Sequence, residues 1–181
     1  MSAVSLKTSR LELRPPEPDD LERCAELLGD YEVVKMLSRV PYPYDLEAGK
    51  DYLARSVERW RDVASADELG FHIDHDGQMI GAIGFKTLQE TPKIGYWLGR
   101  SYWGNGFMSE AVQAAVTWLF RNTAHDLLAG EAMIENSGSL KVLEKLGFRG
   151  VSKVDCESVS RGSSVPALRT EVTRTEFLNG H

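Results

Sequence analysis

A mixed α/β fold is predicted for this chain, with a mostly antiparallel sheet flanked by helices. In the middle of the chain strand patterns follow one another, and Asp76-Gly77 between two of them is a favoured hairpin pair. After them, apolar residues between Met108 and Phe120 recur at spacings of three and four, as on one face of a helix. Strands in series, followed by alternating helices and strands, give a mixed sheet packed against helices.

Each element is predicted from apolar periodicity and from the residues that end the segment. Leu11 and Leu13 alternate in a first strand that Pro15-Pro16 ends, and glycines such as Gly147 close helical patterns. The predicted strands cover residues 8–14, 69–74, 78–88, 93–100, 127–134, 148–154 and 166–177. The predicted helices cover residues 19–28, 30–37, 45–60, 108–120 and 137–146.

Length and composition favour a single domain over residues 1–181. The chain is long enough to bury a sizeable core, and its 42% hydrophobic and 27% charged residues are ordinary for a globular protein. A net charge of −6 argues against nucleic acid as a partner, because that binding relies on clustered Lys and Arg. No apolar run approaches the ~20 residues of a membrane helix, and residues 1–10 contain no apolar signal-peptide core. We therefore expect a cytoplasmic protein without a membrane partner.

No metal site is predicted. The cysteines, Cys24 and Cys156, do not form a metal-like or redox-like spacing. His72 and His75 lie three residues apart in a predicted strand, so their side chains are expected on opposite faces of the sheet.

The segment Trp103-Gly-Asn-Gly-Phe-Met108 lies between a predicted strand and the longest predicted helix. Glycines let a backbone approach an anion closely, and the first N–H groups of a helix have no partners within it. This combination predicts a pyrophosphate site. A plain turn is the alternative, because Asn105-Gly106 is also a favoured hairpin pair, but a helix follows here rather than a second strand.

A second polar cluster, Asn136-Ser-Gly-Ser139, opens the predicted helix that ends at Leu146-Gly-Phe148. These side chains could simply cap the helix, and one of them suffices for that. The others are then available to a ligand, and the residues alone favour the two roles equally.

Together these segments resemble a known family. Ile94-Gly-Tyr-Trp-Leu with the loop Trp103–Met108 resembles motif A of the GNAT acetyltransferases, and Asn136-x-x-Ser139 with the Leu-Gly-Phe ending resembles motif B. The opening Thr8-Ser-Arg-Leu-Glu-Leu-Arg14 resembles the RimJ/RimL-like branch of ribosomal-protein N-terminal acetyltransferases.

The resemblance implies acetyl-CoA as the cosubstrate and no metal. It implies that the central strands 93–100 and 127–134 splay apart to admit the pantetheine arm. Backbone N–H groups would hold the pyrophosphate, and Asn136 would contact the pantetheine arm. The implied cofactor-binding loop consists of Trp103, Gly104, Asn105, Gly106, Phe107, Met108 and Ser109, with Ser109 starting the helix.

The resemblance also implies catalytic groups. A backbone N–H near Trp97 or Leu98 would stabilise the oxyanion, and Ser139 would assist departure of the thiolate. The general base is not carried over, because Lys93 stands where many relatives have an acid. Glu131 and Glu135 are candidate proton acceptors through water, or are merely surface charges.

The chain also departs from motif A at both ends of the loop. Trp103 stands where Gln or Arg often begins it, and Met108 where Gly or Ala often ends it. A backbone N–H is present whatever the side chain, so these changes leave the predicted anion site intact.

The expected reaction is transfer of an acetyl group to a primary amine, and a protein N-terminal amine is the favoured acceptor. A small amine, such as a polyamine, amino acid or aminoglycoside, is the alternative acceptor, with a pocket expected from residues 38–67. A non-catalytic acyl-CoA-binding module is the alternative of a different class. A homodimer is expected from the relatives alone.

Overall fold

The structure, a computed structural model, describes residues 4–180 as one sheet with helices on both faces. Its strands are β1 Leu6–Lys7, β2 Glu12–Arg14, β3 Leu69–His75, β4 Gln78–Lys86, β5 Lys93–Leu98, β6 Leu127–Met133, β7 Arg149–Ser158 and β8 Ser163–Thr173. Its helices are α1 Leu21–Leu28, α2 Tyr31–Val34, α3 Leu46–Arg59, α4 Phe107–Asn122, α5 Ser137–Lys145 and α6 Arg174–Gly180. Short 3₁₀ turns lie at Pro18–Asp20, Arg100–Tyr102 and Val159–Arg161.

The strand order is β1-β2-β3-β4-β5-β6-β8-β7, and β5 with β6 is the parallel pair. The neighbouring pairs are antiparallel, including the predicted run from β3 to β5. The predicted mixed, mostly antiparallel sheet is therefore confirmed.

β5 and β6 pair over only two positions, Lys93 with Ala129 and Ile94 with Gly130. Beyond these positions the strands separate, although β5 continues to Leu98 and β6 to Met133. The predicted splay of the central strands is confirmed, and it opens a gap in the middle of the sheet.

Helix α4 packs its apolar face against one side of the sheet. Ala111, Val112, Ala115, Val116 and Leu119 are fully buried. They join a core with the inward-facing side chains of β3, β4 and β5. Full burial of a Val or Leu side chain contributes roughly 1.5–3 kcal/mol, and that of an Ala less. This packing holds the N-terminus of α4 close to the end of β5.

The opposite side of the sheet carries α1, α2 and α3. Leu28, Val33 and Val34 form a small cluster there, and Trp97 of β5 packs against it. Leu98 belongs instead to the α4 core. Successive β5 side chains therefore point to opposite faces, as the pleat requires.

The hairpin that joins β7 to β8 reaches back to the segment after α2. Val159 N–H donates to the Ser38 carbonyl at 3.0 Å, and Arg161 Nε donates to the Lys35 carbonyl at 2.9 Å. These bonds form a bridge over the α1–α2 side of the sheet.

The last predicted strand, 166–177, is wrong in its final residues. β8 ends at Thr173, and α6 begins at Arg174. Thr173 and Glu176 form a reciprocal capping pair, in which Glu176 N–H donates to Thr173 Oγ1 at 3.2 Å and Thr173 N–H donates to the Glu176 carboxylate at 3.2 Å. This Thr-x-x-Glu spacing is a helix-start signal that the strand interpretation overlooked.

Candidate active site

The loop between β5 and α4 has the backbone of an anion site. Gly104 and Gly106 have φ of +76° and +78°, values in the left-handed region that favours glycine. Helix α4 begins at Phe107 rather than at the predicted Ser109, with Gly106 at its N-cap position. Among residues 4–180, no acceptor hydrogen-bonds the N–H groups from Gly104 to Ser109. These donors are the ones that a pyrophosphate requires.

The side chains of this loop anchor it and do not fill the anion site. Trp103 Nε1 donates to the Leu98 carbonyl at 2.9 Å, and Asn105 Nδ2 donates to the Trp103 carbonyl at 3.1 Å. Phe107 and Met108 are buried in the α4 core. The predicted loop residues thus lie together, and their backbone N–H groups are not used by these side-chain contacts.

A contact that the sequence interpretation missed braces this loop from the N-terminal segment. Arg10 Nη1 donates to the Asn105 carbonyl at 2.9 Å, and its guanidinium lies 4.6 Å from the centre of the Phe107 ring. Arg10 Nε also donates to the Glu110 carboxylate at 2.8 Å. The segment that leads into β2 is therefore bonded to the first turn of α4.

Glu110 collects several donors from the same segment. Thr8 Oγ1 donates to its carboxylate at 2.6 Å, Ser9 Oγ at 2.9 Å, and Arg10 N–H at 2.9 Å. Burial raises the pKa of Glu110, but the hydrogen bonds from Thr8, Arg10 and Ser9 outweigh it and lower the pKa to about 2. An ionised carboxylate in the first turn also suits the positive end of the helix dipole.

The pairing register determines which β5 amides face the gap. Gly99 N–H donates to the Ile80 carbonyl of the β4 side, and Ala129 N–H donates to the Pro92 carbonyl. Because alternate residues of a strand point their N–H and C=O groups to opposite neighbours, the amides of Tyr96 and Leu98 face the gap. The Trp97 amide faces Ala82 of β4 instead. Of the two predicted oxyanion donors only Leu98 has the right direction, and Tyr96 replaces Trp97.

A cavity of about 140 Å³ passes through the gap between β5 and β6. On the α5 side it is lined by Tyr96, Asn136, Ser139 and Leu143. On the α2 side it is lined by Met36, Leu37, Ser38, Lys86, Lys93, Glu131, Met133 and Cys156. One opening therefore connects the two faces of the sheet.

At the start of α5, different residues are available for helix capping and for contact with a ligand. Asn136 is the N-cap, and its Oδ1 accepts the Ser139 N–H at 3.1 Å. Its Nδ2 is not used by this cap, and Asn136 is among the residues that line the cavity. Ser139 Oγ instead lies 2.9 Å from the Tyr96 hydroxyl. Capping thus falls to Asn136, and the Ser139 hydroxyl is free of that role.

Tyr96 is a site residue that the sequence interpretation missed. Burial raises its pKa to about 12, and the hydrogen bond with Ser139 opposes this only in part. The phenol is therefore protonated at neutral pH and can donate a proton or a hydrogen bond within the cavity.

The two candidate proton acceptors are both ion-paired. Glu131 accepts a hydrogen bond from Lys93 Nζ at 2.9 Å and lies 3.9 Å from Arg169. Glu135 pairs with Arg161 at the edge of the β7–β8 hairpin. Glu131 borders the cavity and Glu135 does not, so Glu131 is the better placed of the two.

His72 and His75 have partners other than a metal site. His72 is buried and shares a hydrogen bond of 2.6 Å with Asp20, while His75 packs against Phe107 with ring centres 4.5 Å apart. Over residues 4–180, no group of three His, Cys, Asp or Glu side chains is arranged to hold a metal ion. In the same range no helix is both long and apolar enough to cross a membrane.

Comparisons with known proteins agree with this geometry. An uncharacterised N-acetyltransferase, p20 of Bacillus licheniformis, is 29% identical over 96% of this chain and 98% of its own. The ribosomal-protein-serine acetyltransferase of Escherichia coli K12 is 31% identical over 43% of this chain and 45% of its own. A RimL ribosomal L7/L12 α-N-protein acetyltransferase in complex with coenzyme A has the same fold, with a TM-score of 0.82 at 18% identity over 94% of this chain and 98% of its own.

The model of the acetyltransferase (GNAT) domain matches residues 10–149, a span that runs from the brace at Arg10 to the end of the α5 motif. The loop before α4, the splayed strands and the Asn136–Ser139 cluster all lie within it. This chain therefore belongs to the GNAT family of acetyltransferases.

Proposed function

We propose that the protein transfers the acetyl group of acetyl-CoA to the N-terminal amine of a protein or peptide. The main support for this proposal is the cavity through the gap between β5 and β6. Asn136 and Ser139 line it on the α5 side, where acetyl-CoA would bind, and Lys93 and Glu131 line it on the α2 side. Two substrates can meet in such an opening from opposite faces. The relatives named for ribosomal-protein acetylation support the choice of a protein acceptor.

Acetyl-CoA fits the residues on the first side. The unpaired N–H groups from Gly104 to Ser109 would bind the pyrophosphate, and the gap would admit the pantetheine arm. Asn136 Nδ2 would donate to an amide of that arm. The acetyl carbonyl would then lie beside the amides of Tyr96 and Leu98, which can stabilise negative charge on its oxygen.

The chemical step is attack of a neutral amine on the acetyl carbonyl carbon. A C–N bond forms and the C–S bond breaks, with the Tyr96–Ser139 pair donating a proton or a hydrogen bond to the sulfur. The amine releases one proton, which water beside Glu131 can accept. An α-amino group has a pKa of about 7.7–8.0, so a strong base is not needed.

Thiol release from acetyl-CoA, measured with a panel of amines, tests this proposal. The panel contains peptides with a free N-terminus, the same peptides with a blocked N-terminus, polyamines and aminoglycosides. Turnover that requires the free peptide N-terminus is the expected result. Turnover with small amines alone would move the acceptor to that class, and binding of acetyl-CoA without turnover on any amine would reject catalysis. A cytoplasmic location stays a prediction of the sequence, and a homodimer stays an expectation from the relatives.

A further inference from the structure

Several charged side chains lie on or near the α2 side of the cavity, and two acids among them are already paired. Glu68 accepts hydrogen bonds from Arg39 Nη2 at 2.6 Å and from the Tyr52 hydroxyl at 3.0 Å. Glu131 is bonded to Lys93 at 2.9 Å. Both of these acids already have a basic partner.

Lys86 differs from the other basic residues on this side. Within residues 4–180, no carboxylate lies within ion-pair distance of its ammonium, and no acceptor hydrogen-bonds it. Its side chain is partly buried and lines the cavity. Burial and, after it, the nearby charge of Arg39 lower the pKa of Lys86, and the charges of Glu68 and Glu131, which lie beyond ion-pair distance, oppose them in part. Partial burial of a cation that no carboxylate contacts directly costs free energy.

Lys86 lies close to the place where β5 and β6 separate. It lies directly opposite Lys93 in the pairing of β4 with β5, and directly opposite residues have Cβ atoms about 5 Å apart. β5 pairs with β6 at Lys93 and Ile94, and the two strands separate after Ile94. Lys86 therefore lies beside the last paired positions, next to the point where the gap opens.

We propose that Lys86 binds an anionic group of the acceptor, so that the preferred substrates are N-terminal amines with Asp or Glu among the first residues. This inference rests on the proposed function and narrows its substrate class. A carboxylate placed beside Lys86 would supply the direct ion-pair partner that no residue of the described range provides. The protein as a whole has a net charge of −6, so this preference belongs to the cavity and not to the average surface.

The test compares matched acceptors on three proteins. The acceptors are Ser-Asp and Ser-Asn peptides with amidated C-termini, so that the Asp carboxylate is the difference between them. The proteins are the wild type, Lys86→Met and Lys141→Met. Lys141 is exposed on α5, on the other face of the sheet, and its loss changes the net charge equally.

For the wild type and Lys141→Met we expect kcat/KM to be about tenfold higher for the Ser-Asp peptide, the ratio that corresponds to 1.4 kcal/mol. For Lys86→Met we expect the ratio to fall to about one through a higher KM, with the affinity for CoA unchanged. Lys86→Arg should restore the preference. Lys86→Met should also melt no earlier than the wild type, because an unpaired, partly buried charge has been removed.

Two results would overturn the inference and leave the proposed function standing. One is acetylation of both peptides at equal rates by the wild type, which would show that the Lys86 ammonium simply reaches water. The other is a preference for Ser-Asp that survives in Lys86→Met, which would place the anion site elsewhere. No turnover on either peptide by any of the proteins, with acetyl-CoA bound, would instead reject the proposed function.

Discussion

At the residue scale, Ser139 carries the sharpest expectation about catalysis. Its hydroxyl contacts Tyr96 and does not cap α5, because Asn136 has that role. We therefore expect Ser139→Ala to lower kcat roughly tenfold to a hundredfold, the low end of general-acid assistance, since a thiol is a good leaving group. The affinity for CoA and the melting temperature should change little. Steady-state kinetics and a melting curve on the same sample measure all three.

Asn136→Ala is the matched variant for this experiment. It removes the cap and should cost about 1 kcal/mol of stability, and it should weaken CoA binding if Nδ2 contacts the pantetheine arm. A Ser139→Ala protein that is destabilised but turns over at the wild-type rate would contradict the assigned roles. Backbone donors on β5 would then be the main catalytic device.

The sequence predicted Asn136 and Ser139 as site residues, but not which of the two caps the helix. Both stand at a helix start, and the choice of cap depends on side-chain rotation, which spacing does not reveal. Tyr96 was missed because its partner, Ser139, is on another element 43 residues away in the chain. Trp97 was misassigned because the direction of an amide follows from the register with β4, which is a tertiary property.

At the scale of elements, the loop before α4 depends on the left-handed conformation of Gly106. A β-branched residue resists that conformation, and a Cβ there would also lie 3.5 Å from Arg10 Nη2. We expect Gly106→Val to shift the first-turn amides and to weaken CoA binding about tenfold or more, which corresponds to 1.4 kcal/mol. Calorimetric titration with CoA measures the change.

Gly77 provides the control for backbone strain. Its φ is +76°, almost that of Gly106, and no atom lies within 4 Å of a Cβ built there, in the turn between β3 and β4. Gly77→Val should therefore lose stability and retain the affinity for CoA. Equal affinities in the two variants would mean that the loop before α4 is only a turn.

The brace between the N-terminal segment and α4 predicts a dependence on pH. The pKa of Glu110 lies near 2 in the folded protein, below the value of about 4.3 in an unfolded chain. Its contribution to stability is therefore complete above the unfolded pKa and is lost as the pH falls toward 2. We expect Glu110→Gln to be less stable than the wild type at pH 7, with a difference that shrinks as the pH is lowered from 5 to 3.

Urea unfolding at each pH gives these differences, and Glu90→Gln serves as the reference. Glu90 is exposed in the turn between β4 and β5, and its substitution should leave a small difference at every pH. A gap between Glu110→Gln and the wild type that does not change with pH would show that packing, and not the charge of Glu110, connects the two elements.

The elements themselves were largely predictable, because strong periodicity marks β3 to β5 and α4. The errors lie where a local signal competes with a continuing apolar pattern. The pattern of residues 174–177 continues that of the preceding strand, but Thr173 and Glu176 cap a helix there. The brace was not predictable, because Arg10 and Glu110 are 100 residues apart in sequence.

At the scale of the whole molecule, the site is a product of topology. A parallel pair between antiparallel neighbours places the N-terminus of α4 and the start of α5 near one opening in the sheet. The family resemblance predicted the splay, but the pattern of apolar residues could not, because separated strands bury the same residue types as paired ones. Because residues of both faces line the cavity, the proposed function lets two substrates meet there from opposite sides.

The last prediction concerns the response of the whole fold to its cosubstrate. A ligand that binds only the folded state stabilises it by about 2.7 kcal/mol at a hundred times its Kd. For a chain of 150–250 residues each kcal/mol raises the melting temperature by about 2–4 °C, so acetyl-CoA at that excess should raise it by roughly 5–11 °C. The donors are backbone N–H groups, so the shift should be the same with EDTA present. Pantetheine lacks the pyrophosphate and should stabilise far less at the same concentration, because the amides from Gly104 to Ser109 would gain no acceptor. An equal shift with pantetheine would remove the loop from cosubstrate binding, and no shift with acetyl-CoA at millimolar concentration would contradict the proposed function as a whole.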